Sequence, residues 1–184
     1  MGVPFESLVS APYPWLGGAL AAAILTGPTQ GALAKRHLSS PAVTHPIVDW
    51  ELARTKVRLD EILDAWDPRA RRVAGATLGI DIVFLGAYGF GLALASSLGA
   101  ALFADFGWQP VGRVFEGIAW GALVAAGADV VENVLLASTL VRRPGSDFLP
   151  RAVYRLAKLK FLLSLKVVLP AGLVAIAFDL LGSP

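Results

Sequence analysis

Apolar positions along this chain run in long blocks, and the polar positions gather between them. Residues 8–34 carry no charged side chain. Residues 73–104, "VAGATLGIDIVFLGAYGFGLALASSLGAALFA", carry only Asp81. Residues 111–141 form a third apolar block, and residues 152–181 a fourth, interrupted by Pro170. A helix needs roughly 20 apolar residues to cross the hydrocarbon core of a bilayer. The pattern therefore predicts spans over 73–104, 111–141 and 152–181. A kink at Pro170 is tolerated where neighbouring groups satisfy the freed carbonyl. The first block, residues 13–34, has the core "WLGGALAAAILTG" and ends at Gly27-Pro28; its length suits either a span or a re-entrant segment.

The polar stretches have their own pattern. Residues 35–46, "KRHLSSPAVTHP", read as a loop. Residues 47–66 read as one amphipathic helix, with Asp49 as cap and Glu51 in the first turn. Leu52, Leu59, Ile62, Leu63 and Trp66 form its apolar stripe, which fits a membrane surface or the protein's own loops. Asp67-Pro68 is a cap followed by proline at the first helical position. Residues 105–110 are a short turn, and 142–150 a polar connection. The predicted fold is all-α: an integral membrane helical bundle of three to four transmembrane helices plus one amphipathic surface helix. Residues 1–45 form an N-terminal extension, and 46–184 the membrane domain.

Composition supports this setting. Hydrophobic residues make up 55% and charged residues 16%, against about a quarter charged in soluble domains, and the mean hydropathy is +0.63. Only Glu6 is charged ahead of the first apolar block, so no cleaved signal peptide is expected. With no cysteine, disulfides and thiolate chemistry are excluded. The two histidines, His37 and His45, both lie in a polar loop, which argues against a metal or haem site within the helices.

Charge then orients the spans. Residues 35–72 hold eight Lys or Arg, residues 142–160 hold six, and the remaining two of sixteen are Arg113 and Lys166. Fourteen of sixteen fall on one side if three helices follow residue 72. That side is expected to be cytoplasmic, placing loops 35–72 and 142–158 there in a multi-pass protein of the bacterial cytoplasmic membrane. This distribution follows membrane edges and does not point to nucleic acid.

The chemistry of interest is what remains inside the blocks. In "AGADVVENVLL", Asp129, Glu132 and Asn133 stand at i, i+3 and i+4, on one helical face. Asp81 and Tyr88 share a face seven residues apart. In the last block Lys160 and Ser164 share a face, and Lys166 lies deeper. At 1.5 Å per residue, Asp81 is about 13 Å from Arg72, Glu132 about 15 Å from Arg142, and Lys166 about 16 Å from Arg155. Lys160 is shallower and able to snorkel. A charge at mid-bilayer costs roughly 2.5–3.5 kcal/mol or more, so such groups pair or neutralise. Three carboxylates face at most two lysines, so one carboxyl is expected to be protonated or in contact with water. Gly75-x-x-x-Gly79 and Gly117-x-x-x-Gly121 are expected to mark close helix packing.

Five elements carry a resemblance: "DWELA" at 49–53, "IL" and "AW" within 62–66, "IDIVFLGAYG" at 80–89, "ADVVENVLL" at 128–136 and "LAKLKFLL" at 156–163. Over residues 46–160 the chain resembles a group of small bacterial polytopic membrane proteins with an intramembrane Asp-x-x-Glu-Asn motif and no established activity. The resemblance implies topology and a shared polar set, here Asp81, Tyr88, Asp129, Glu132, Asn133 and Lys160. It names no cofactor.

Three functions follow as expectations. The first is a structural or accessory subunit of a larger membrane complex or homo-oligomer, in contact with membrane lipids. The second is a binder or transporter of a small lipid-like or protonatable ligand. The third is a lipid-modifying enzyme using paired carboxyls as acid and base. No HxxxH box, DDxxD motif or Gly-x-Ser-x-Gly elbow supports the third.

Overall fold

A computed structural model describes residues 13–163. Helices make up the regular structure of this range, and among the described residues there is no strand. Six helices follow in order: α1 Tyr13–Leu38, α2 Pro46–Glu51, α3 Lys56–Ala65, α4 Pro68–Asp105, α5 Gln109–Val141 and α6 Phe148–Leu163. Helices α4 and α5 are each long and apolar enough to cross a membrane. They pack along one another, α1 packs along α4, and α6 against α5. The part of the expected last span beyond residue 163, including Lys166 and Pro170, lies outside the described residues.

Local chemistry fixes the helix ends. Asp67 caps α4, its Oδ1 accepting the Ala70 N–H at 2.7 Å, and Pro68 opens the first turn. The α4–α5 turn reverses the chain at Gly107, whose φ of +78° suits a residue without Cβ. The Trp108 N–H closes this turn on the Phe103 carbonyl at 2.8 Å.

Two expectations change here. The apolar block does not stop at Gly27-Pro28; α1 runs through Pro28 and through Lys35, Arg36 and His37 to Leu38. Tertiary packing explains the extension, because Ala34 and Leu38 are buried in the core. The loop shortens to residues 39–45, with Ser40 and Val43 exchanging backbone hydrogen bonds of 2.9 and 3.0 Å.

The single amphipathic helix over 47–66 is instead two short helices, α2 and α3. Thr55 divides them: its hydroxyl accepts the Arg58 N–H at 3.3 Å and caps α3. Asp49 is not the cap of α2. It lies inside the helix and its Oδ2 accepts the His45 N–H at 3.0 Å. The apolar stripe packs on the protein itself. Leu59, Ile62, Leu63 and Trp66 join Leu38, Val43, Ala74, Leu78, Leu136 and Val153 in the principal core; Leu52, expected in the same stripe, is 38% exposed, and Trp50 takes the buried place instead. The Trp50 and Trp66 rings meet edge to face with centroids 5.2 Å apart. The Trp66 indole donates to the Leu38 carbonyl at 2.9 Å, tying the end of α1 to the end of α3. A cap of α2 and α3 thus covers one end of the long helices.

The close approach of α4 and α5 falls at unexpected glycines. Gly79, Gly117 and Gly121 face open space, and Gly75 meets only the tip of Leu140 at 3.8 Å from where a Cβ would sit. Gly89 is the tight point: a Cβ there would lie 2.5 Å from the Ala126 Cβ. At Gly112 it would lie 3.0 Å from the Ala100 carbonyl oxygen. Spacing alone could not distinguish the packed glycines from the outward-facing ones.

Candidate functional site: a buried lysine among carboxylates

The site begins with how each helix is held. The Trp50 indole donates to the Thr139 hydroxyl at 3.3 Å, fixing α2 against the last turns of α5. Glu51 follows immediately and is the last residue of α2. Asp147 seats α6: its carboxylate accepts the Lys56 N–H at 2.8 Å and the Arg151 guanidinium at 2.8 Å. Arg143 ties the α5–α6 connection to α3 through Asp60 at 3.4 Å and Asp64 at 2.5 Å. Its hydrogen bond holds the Asp64 carboxyl below its ordinary value. With its start tied in this way, α6 presents Val153, Ala157 and Lys160 on its inner face.

Lys160 is the centre. Its Nζ lies 2.9 Å from Asp129 Oδ1, 3.3 Å from Glu51 Oε1 and 3.3 Å from Glu132 Oε2. It donates hydrogen bonds to Asp129 and Glu51. The contact with Glu132 is a charge contact without hydrogen-bond alignment, and neither Glu132 oxygen accepts a hydrogen bond among the described residues. Glu132 is 0% exposed. Lys160, whose shallow position left it able to snorkel, turns inwards and joins the cluster expected from the sequence. Three carboxylates on two other helices draw it in.

A second contact adjoins the first. Asn133 Nδ2 donates to Asp81 Oδ2 at 2.7 Å, linking α5 to α4, and both residues are buried. Asp129, Glu132 and Asn133 all face inwards from α5, as their spacing predicts. Tyr88 is half-buried, lies against Phe84 with ring centroids 5.3 Å apart, and makes no hydrogen bond to the cluster among the described residues. Lys166 lies outside the described residues.

Glu51 is the member that sequence reasoning missed. Read as the first turn of a long helix, its charge matched the helix dipole and needed no other partner. In fact α2 ends there, and Glu51 turns inwards, 6% exposed. The available signal was Thr55, a residue suited to begin a new helix, so that Glu51 precedes a break. Burial pushes the Glu51 carboxyl above its ordinary value, and the Lys160 ammonium opposes that rise.

The arrangement joins four helices through polar contacts. It places three carboxyl groups, from Glu51, Asp129 and Glu132, around one ammonium group among the described residues, with a fourth, Asp81, joined to α5 through Asn133. Such a set is able to clamp helices, or to hold protons that offset the excess of carboxylates. No three carboxylate or imidazole groups among the described residues are placed to hold a metal ion together. Comparison of the chain with family models, with curated proteins and with solved structures finds no match.

Proposed function

We propose that this chain is a small multi-pass integral membrane protein, a bundle of three to four spans capped on its cytoplasmic side by α2 and α3. We propose that it serves as a structural or accessory subunit of a membrane assembly. One observation carries the reading: a largely enclosed ammonium, Lys160, is shared by carboxylates from α2 and α5. Polar contacts of this kind fix helix orientation where apolar burial alone discriminates poorly. Two further features support the setting. Ile82, Val83, Leu102, Val114, Val124, Val131 and Val134 are exposed along α4 and α5 while Asp81, Asp129 and Glu132 lie inside. Fourteen of sixteen basic residues also fall on one side of the spans.

The test is purification in mild detergent after an alkaline carbonate wash of membranes. The protein should stay with the membrane and then run as a defined homo-oligomer or with a stoichiometric partner. A protein released by carbonate overturns the membrane reading. A strictly monomeric particle with no partner overturns the subunit reading.

A second reading, a binder or transporter of a protonatable ligand, is favoured by the Glu132 carboxyl, whose oxygens accept no hydrogen bond among the described residues. Glu132→Gln keeps the shape and removes the charge. Under this reading it abolishes proton uptake into liposomes carrying the protein, measured with a trapped pH dye. Unchanged uptake by a folded variant sinks the idea.

A further inference from the structure

The outer face of α6 differs from the inner one. Arg151, Arg155 and Lys158 are exposed at i, i+4 and i+7, which places them in one stripe. Leu162 continues that stripe, and Leu159 and Phe161 flank it, all three exposed and apolar. Beside the stripe lies the half-buried ring of Tyr154. The Lys158 Nζ is 5.5 Å from its centroid. Arg54, in the connection between α2 and α3, brings its Cζ to 5.8 Å from the same centroid.

Two cations from distant parts of the chain therefore converge on one aromatic ring. Neither meets a carboxylate among the described residues, whereas Lys56, Arg58, Arg143 and Arg151 each do. The nearby Glu51 is engaged by Lys160. The ring attracts each cation without neutralising it, which leaves the pair open to an anion. The axial order of cations followed by exposed apolar side chains matches a phosphate headgroup followed by acyl chain.

We propose that this face binds the headgroup of an anionic phospholipid, its phosphate held by Arg54 and Lys158 over Tyr154, with Arg155 next along the stripe. The proposal rests on the reading of the chain as a membrane protein. The exposed apolar residues and the small net charge of +2 favour lipid over nucleic acid.

The experiment uses the full chain in nanodiscs of phosphatidylcholine and phosphatidylglycerol, with retained lipid counted by native mass spectrometry. The wild type should retain phosphatidylglycerol preferentially. Arg54→Gln with Lys158→Gln should lower that preference roughly thirtyfold, the effect of two cations at a membrane surface. Lys56→Gln with Arg58→Gln, an equal charge change at carboxylate-paired positions, should leave it nearly intact. An unchanged preference in the first pair, or an equal loss in the second, overturns the site. Displacement of the lipid by inorganic phosphate at millimolar concentration overturns the lipid assignment in favour of free phosphate. Release of the protein by carbonate overturns the membrane reading and this one together, whereas carbonate resistance with no lipid preference overturns this one alone.

Discussion

The Asn133 side-chain amide donates to the Asp81 carboxylate across 2.7 Å, and this bond joins α5 to α4 between otherwise apolar surfaces. Its worth lies mainly in what its loss leaves behind. Asn133→Leu strands a buried carboxylate and should destabilise the protein by about 3 kcal/mol. Replacing both Asp81 and Asn133 with leucine should cost less than Asn133→Leu alone. Thermal unfolding in detergent, taken as a double-mutant cycle, checks this; simple additivity of the two single variants contradicts it.

Removing Lys160 should be more damaging. Lys160→Met leaves Glu51, Asp129 and Glu132 without their shared cation, at a cost of about 3–5 kcal/mol. Lys160→Arg keeps the charge and should recover part of the loss. Equal unfolding temperatures for Lys160→Met and the wild type would show that the cluster contributes nothing to stability.

Glu51 predicts a pH dependence with a definite sign. Burial raises its carboxyl above the ordinary value of 4.5, so the folded state holds that proton more tightly than the unfolded one. Its contribution to stability is therefore full below 4.5 and declines as pH rises from there through the raised folded value. Relative to Glu51→Gln, the wild type should lose stability as pH rises from acid towards neutral. A wild type that gains on the variant over that window has the opposite linkage.

Helix approach gives a steric prediction. Gly89→Ala places a Cβ 2.5 Å from that of Ala126 and should cost about 1–3 kcal/mol. Adding Ala126→Gly should restore most of the loss. Gly79→Ala, facing open space, should be neutral or slightly stabilising. If Gly79→Ala proves the more damaging of the two alanine variants, the helices meet elsewhere.

Much of this fold was legible in the sequence because its cause is local. The apolar blocks give α4 and α5 directly, and Asp67-Pro68 marks where α4 begins. Helical spacing puts Asp129, Glu132 and Asn133 on one face without any tertiary knowledge. The rest depends on partners distant in the chain. Thr55 breaks the amphipathic segment, yet whether Glu51 then meets water or Lys160 depends on residues more than 100 positions away. The same holds for Lys160, whose stem is long enough to reach either way. Asp147 and Arg143 seat α6 and the preceding connection against α3, and the carboxylates of Glu51, Asp129 and Glu132 then draw the stem inwards.

The edge-to-face pair in the cap has an optical consequence. Trp50 and Trp66 are 0% and 2% exposed, while Trp15, Trp108 and Trp120 are each about half exposed. The paired indoles should resist aqueous quenchers. At 5.2 Å and 86° their transitions should also couple into an ultraviolet circular-dichroism couplet that is lost in Trp66→Phe. Undocking of the cap can therefore be followed in the intact protein by its own absorption and emission, separately from unfolding of the long helices.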